Sequence, residues 1–289
     1  MPNFVTRRFL TATAGVAAAL CAGIFLAACS KTETPAPVVL VSPAPVASAP
    51  APAARVYVVG TDAAYAPFES QNEKGEIVGF DIDVVKAAAA KAGIEVKFVN
   101  TPWEGIFNNL AQGDRDLVAS AVTITDERKQ TMDFSAPYFD AQQLIAVPTN
   151  SKITKFDDLA KRKIGVQTGT TGDEAVGKLV GKTNPNIKRF ESTPLALKEL
   201  EAGGVDAVVA DNGVIINYVN NNAGGKFKTV TDATFAPEQY GLALKKGDTV
   251  LQTLLNKGLA DIKTDGTYDK IYASYFGAAA AAPSAAASK

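Results

Sequence analysis

The 289-residue chain contains no histidine. Serine–histidine–acid and cysteine–histidine catalysis are excluded, together with most zinc sites, which draw on imidazole. Cysteine is nearly as scarce: the two present, Cys21 and Cys29, lie close to the N-terminus. No CxxC pair exists, so thiol redox chemistry of that type is absent. A large charge excess is also missing. Lys and Arg total 29 against 30 Asp and Glu, a net charge of -1, which gives no electrostatic footprint for nucleic acid.

What is present first is an export layout. Arg7 and Arg8 precede an alanine-rich apolar run from Leu10 to Ala28 that ends Leu26-Ala27-Ala28-Cys29. A basic start, an apolar stretch and small residues before a processing point describe a secretory signal. The run approaches the length that spans about 30 Å of hydrocarbon, so an uncleaved membrane helix is the alternative; its small side chains favour a leader. The tetrapeptide resembles a bacterial lipobox, which implies removal of residues 1–28 and acylation of Cys29. Two or more acyl chains anchor firmly, because each buried methylene contributes about 0.8 kcal/mol. Arg7-Arg8-Phe9-Leu10 is similar to a twin-arginine signal without its spacer residue, and the export route stays open. The body of the chain is expected outside the cytoplasm, in a periplasm or at a cell surface, tethered to a membrane.

Residues 29–54 are mostly Pro, Ala, Val, Ser and Thr, with prolines at 35, 37, 43, 45, 50 and 52. Such a stretch buries no core and reads as an extended spacer. Residues 278–289 are nearly all alanine and read as a frayed tail. Between them, β-rich and helical patterns alternate. Strands are expected at 56–59, 94–99, 117–121, 144–147, 164–167, 205–210 and 241–244. Asp81 is expected to cap a helix running to Lys91, with Gly93 as its stop, and a second helix is expected over 103–112. Strands separated by helices imply an α/β fold with largely parallel sheets covered on both faces.

Two strand-to-helix junctions carry the chemistry. In Ser120-Ala121-Val122-Thr123-Ile124-Thr125-Asp126-Glu127-Arg128, Thr125 suits an N-cap and the two acids suit a first turn. Arg128 is not favoured there by the helix dipole. An anionic ligand held by a charge-assisted fork would explain it; a structural or solvated arginine is the alternative. In Ile164-Gly165-Val166-Gln167-Thr168-Gly169-Thr170-Thr171-Gly172, a Gly/Thr turn leads into a helix whose free amides suit an anion, or form an ordinary polar turn. Gly172 to Lys178 matches P-loop spacing, but Leu179 replaces the required Ser or Thr and the motif falls inside the helix. Asp211 ends a strand and reads without further context as a helix cap. Trp103, the one tryptophan, suits either a core or a half-wet pocket.

Six stretches in order, Gly60 to Glu69, Gly79 to Asp83, Thr123 to Arg128, Gln167 to Gly172, Val205 to Asp211 and Asp265 to Lys270, resemble the amino-acid-binding receptors of ABC importers. That group includes glutamine-, histidine- and arginine-binding proteins. The resemblance runs from about Val56 to Phe276. It implies two α/β lobes, residues 55–138 with 240–277 and residues 143–234, joined by two crossing strands, with one free L-amino acid held between them. Arg128 would take the ligand α-carboxylate, helped by Thr123 and by the amides and hydroxyl at Thr171. Asp211 would accept from the α-ammonium, with Ser120 and Thr123 as further acceptors. Tyr65 and Trp103 map to aromatic walls, with Asp62 beside them and Ala121 and Gln167 lining the same pocket. An acid beside two aromatic faces favours a cationic side chain, arginine or lysine; glutamine is the alternative. The implied partners are an ABC permease and, through lipid on Cys29, a membrane; a monomer is expected, with no cofactor, metal or nucleic acid. The same fold also carries sensors and dehydratase-type enzymes, for which Glu69 or Glu238 would be candidate acids.

Overall fold

Strands and helices alternate through the computed structural model, which describes residues 55–221 and 224–277. The expected leader, Cys29, the Pro/Ala segment and the alanine-rich tail lie outside the described residues. The first part of the chain runs through β1 (Val56–Thr61), the short strands β2 (Ala64–Tyr65), β3 (Glu69–Gln71) and β4 (Ile77–Val78), α1 (Phe80–Ala92), β5 (Glu95–Asn100), α2 (Ile106–Gln112), β6 (Leu117–Val118), α3 (Arg128–Thr131) and β7 (Met132–Phe134). After β8 (Phe139–Ala141) come β9 (Gln143–Pro148), a 3-10 turn (Phe156–Lys161), β10 (Ile164–Gln167), α4 (Thr171–Val180), β11 (Ile187–Phe190), α5 (Thr193–Glu201), β12 (Ala207–Asp211), α6 (Asn212–Asn221) and β13 (Phe227–Val230). The chain returns through β14 (Glu238–Tyr240) to β15 (Ala243–Lys245), α7 (Thr249–Thr264) and α8 (Thr267–Phe276).

Two five-stranded sheets result, ordered β5-β1-β6-β15-β7 and β11-β10-β12-β9-β13. In each, the first three strands are parallel. β9 and β15, the first sheet strands after each crossing, run antiparallel to both neighbours. Four of the five strands in each sheet therefore run the same way, as the alternation predicts for most of the sheet, and the crossings insert one reversed strand next to an edge. The crossing strands β8 and β14 pair with each other, Phe139 opposite Tyr240 and Ala141 opposite Glu238.

The second sheet is apolar on both faces, as a helix-covered sheet must be. Along β9, Ile145 and Val147 enter one core while Leu144 and Ala146 enter another; β12 divides its residues in the same way. In the first lobe, α1 and α7 cross closely at Gly258, where an added Cβ would lie 2.1 Å from Ala88 O.

Local geometry departs from expectation at four places. α1 begins at Phe80 with Gly79, not Asp81, at its N-cap position, and the Asp81 carboxylate turns inward instead. A side chain at Gly79 would strike Phe68 O at 2.1 Å. The helix expected from Trp103 starts only at Ile106, because Gly105 adopts φ 89°. The strand expected to reach Ala121 stops at Val118, since Ala121 itself takes φ 47°. Helical geometry after Thr125 begins at Arg128, although Thr125 Oγ1 does accept from the Arg128 amide at 3.1 Å. Among the described residues no helix is long and apolar enough to cross a membrane.

Candidate functional site

The carboxyl ends of β1, β6, β10 and β12 converge on one cavity, the place where α/β sheets generally hold ligands. Asp62, Tyr65, Trp103, Ser120, Ala121, Thr123, Arg128, Gln167, Thr171 and Asp211, the ten residues singled out from sequence, all line it, joined by Glu69 and Thr170.

Arg128 supplies the cation of this lining. Its Nη1 donates to Thr123 O at 2.9 Å and its Nη2 to Gly169 O at 3.4 Å, a contact that joins the two lobes. The guanidinium carbon sits 5.4 Å from the Trp103 ring centroid and 5.3 Å from that of Phe107. Burial lowers its proton affinity, and the charges of Glu174, Asp211, Glu238 and Glu127 oppose that shift; an arginine keeps its charge in either case. With two of five N–H groups used among the described hydrogen bonds, three remain for an acceptor in the cavity. Thr171 opens α4 next to it, with Thr170 as N-cap receiving the Asp173 amide at 3.2 Å. First-turn amides without helical partners and the dipole add to the positive potential there.

Asp211, also in the lining, is 7% exposed. It accepts from the Tyr240 hydroxyl at 2.5 Å, from the Gln143 amide and from Tyr65. Burial, then the charge of Glu238, pushes it up to about 6 against those hydrogen bonds. The described bonds of its carboxylate all go to side chains, so the helix-cap reading of Asp211 is replaced by membership of a buried polar cluster. Tyr65, also buried, is held well above the ordinary tyrosine range by burial first and Asp211 second.

Asp62, on the same wall as Trp103, is pushed up by burial, with the Gln167 hydrogen bond (3.2 Å, across the lobes) and the Trp103 backbone opposing. Gln167 is fixed by Thr193 Oγ1 (3.0 Å) and Glu191 O (3.0 Å). The Ser120 hydroxyl receives the Asp62 amide and donates to Glu69, each at 3.0 Å. The Trp103 indole packs edge-on against Phe107 (5.0 Å, 75°) and also lines the cavity, so the core and pocket readings are both met. The Tyr65 ring is stacked on Phe68 at 6.2 Å.

Sequence reading missed Gln143 and treated Glu238 only as a candidate acid. Gln143 Nε2 lies within reach of Thr171 Oγ1 (3.1 Å), Glu238 Oε1 (3.2 Å) and Asp211. Two amide protons serve three acceptors, so the bonds are shared. Glu238 Oε2 accepts from Thr123 Oγ1 (2.8 Å) and Thr171 Oγ1 (2.9 Å), one hydroxyl from each lobe. The available signal was Gln143 itself, a polar residue opening the apolar run Leu144 to Val147 of a central strand. Among the described residues no group of three or more Cys, Asp or Glu side chains could hold a metal ion.

A cation, helix amides and a carboxylate thus line one cavity, a set of charges that suits a zwitterion. Comparison with known proteins agrees in kind. Over 232 residues the chain is 49% identical to a probable histidine-binding protein of Neisseria gonorrhoeae, covering 79% of this chain and 87% of that protein. The arginine-, lysine-, histidine-binding protein ArtJ of Geobacillus stearothermophilus superimposes with a TM-score of 0.75 at 44% identity, covering 77% and 96% of the two chains. An ancestral arginine-binding protein bound to glutamine gives 0.72 at 43%, covering 77% and 98%. Residues 57–278 match the family model for bacterial extracellular solute-binding proteins, family 3, and the chain belongs to that family.

Proposed function

We propose that the chain captures a free amino acid by closure of its two lobes and delivers it to the permease of an ABC importer, acting as a binding protein and not as an enzyme. The observation that carries this reading is the convergence of Arg128, the start of α4 and Asp211 on one cavity. The first pair suits an α-carboxylate and the last an α-ammonium. Closure needs a ligand that touches both lobes and so binds the closed form better; contacts at Thr123 and Thr171 come from opposite lobes. A basic side chain is preferred, since Asp62 stands beside Trp103 and Tyr65, and the names of the relatives above include arginine, lysine and histidine binders. Glutamine is the second reading, supported by the Gln167 amide already bound to Asp62 and by the glutamine in an arginine-binding relative.

The test is a thermal-shift titration of residues 55–277 with the twenty amino acids. A ligand at 100 times its Kd adds about 2.7 kcal/mol of stability. Arginine or lysine is expected to give the largest shift; silence from all twenty would sink the proposal, and a shift with glutamine alone would overturn only the basic preference.

The same proposal includes a lipid on Cys29 that holds the receptor near its permease. Cys29→Ser is expected to move the protein from the membrane to the soluble fraction with ligand affinity unchanged. Continued membrane attachment of that variant would return the leader to the uncleaved-helix reading.

A further inference from the structure

Glu69, in the cavity lining, and its neighbour Asp81 have no part in ligand capture as described. Glu69 and Asp81 are both fully buried. The Asp81 amide donates to Phe68 O at 3.0 Å, which sets the first turn of α1 against the start of β3. The two carboxyls thereby come within hydrogen-bonding reach of each other. One oxygen of each serves the loop after β6. Glu69 Oε1 accepts from Ser120 Oγ (3.0 Å), and Asp81 Oδ2 accepts from Ala121 N (2.8 Å) and the Tyr138 hydroxyl (2.6 Å). The other oxygens, Glu69 Oε2 and Asp81 Oδ1, meet no protein donor.

We propose that Glu69 and Asp81 share one proton between Oε2 and Oδ1, and that this carboxyl–carboxylate hydrogen bond holds Ser120 and Ala121 in the turn that floors the cavity. Both are positioning residues. The importance of that floor rests on the binding reading above; the shared proton does not.

Three observations support it. A single proton gives both orphaned oxygens a partner, whereas two ionised carboxylates would repel each other in a fully buried site. The titratable groups that act on the pair or face it, Asp62, Tyr65, Tyr138, Asp211, Tyr240 and Tyr268, are all acids, and no lysine or arginine is among them. Burial first and Asp81 second push Glu69 well above the carboxylate range, and burial lifts Asp81 to about 7. The turn itself needs holding. Ala121 has φ 47°, a left-handed conformation that persists in a residue with a Cβ only where its surroundings enforce it. The bond from its amide to Asp81 supplies that restraint.

Glu69→Gln makes the proton permanent: the amide nitrogen donates to Asp81 Oδ1 while the amide oxygen still accepts from Ser120. In the wild type, the folded pair keeps a proton that the unfolded carboxyls have released above about pH 5, so stability falls as pH rises. E69Q is expected to lose one proton's worth of that slope in Tm against pH and to keep the Ala121 amide resonance in place. Glu69→Ala is expected to shift that resonance and lower Tm. Carboxyl carbon NMR of the unmodified protein gives a second reading, with one of the two carbons titrating above about pH 6. The proposal is overturned if both carbons titrate in the ordinary carboxylate range, or if E69Q keeps the wild-type slope; should E69Q not fold, the carbon titration alone decides. None of these measurements uses a ligand, so their failure leaves the amino-acid reading untouched.

Discussion

Replacing Arg128 by alanine is expected to weaken binding of the captured amino acid by roughly 30- to 4,000-fold, which corresponds to about 2–5 kcal/mol for truncating one partner of a buried charge pair. The upper part of that range is expected here for three reasons. The guanidinium packs against Trp103 and Phe107 and is partly desolvated there, so its contact with a carboxylate is weakly screened. Its loss also leaves Glu174, Asp211, Glu238 and Glu127 around the site without their cation. Finally, the Nη2 bond to Gly169 O is one of the few that joins the lobes, so closure itself becomes less favourable. Arg128→Lys keeps the charge but loses the fork and the stacked plane, and an intermediate loss of about tenfold is expected. Isothermal titration, with circular dichroism to verify folding, measures both. Retained affinity in a folded R128A protein would refute the zwitterion clamp.

The second large effect belongs to Asp211, and it carries a pH signature. Burial and Glu238 place the carboxyl at about 6 in the unliganded protein. An ammonium requires the ionised form, so affinity is expected to be constant above that value and to fall as pH drops through it, by up to tenfold per unit. Asp211→Asn should remove this acid limb and weaken binding at pH 7.5 by an amount comparable to R128A. The amide is nearly isosteric, and the Tyr240 hydroxyl can still donate to its oxygen, so the fold is expected to survive. A D211N protein with an unchanged acid limb would assign the titration to a different group, and Asp62, also shifted upward by burial, would be the next candidate.

Much of this cavity was legible in the chain because its parts sit at strand ends. Gln167, Thr171 and Asp211 each follow an apolar run whose length announces a buried strand, and Arg128 follows a capping pattern that gives an arginine no local reason to be there. The residues missed are those whose role depends on distant partners. Gln143 reads as an ordinary strand opening until the crossing sets it beside Asp211, Thr171 and Glu238, which lie 68, 28 and 95 positions away. Asp81 reads as a helix cap because acids favour first turns. Nothing local reveals that Gly79 presses on Phe68 and turns the carboxylate inward to Ala121.

The sequence by itself determined the α/β alternation and the absence of histidine chemistry, because apolar period and composition are read directly along the chain, and its family resemblance singled out the ten residues that line the cavity. Tertiary structure alone decided which oxygens face which donors. It raised the Asp211 carboxyl to about 6, buried Glu69 and Asp81 together, and set Glu238 between a hydroxyl of each lobe. Burial and charge proximity depend on contacts formed across the two crossings, and no spacing along the chain encodes them.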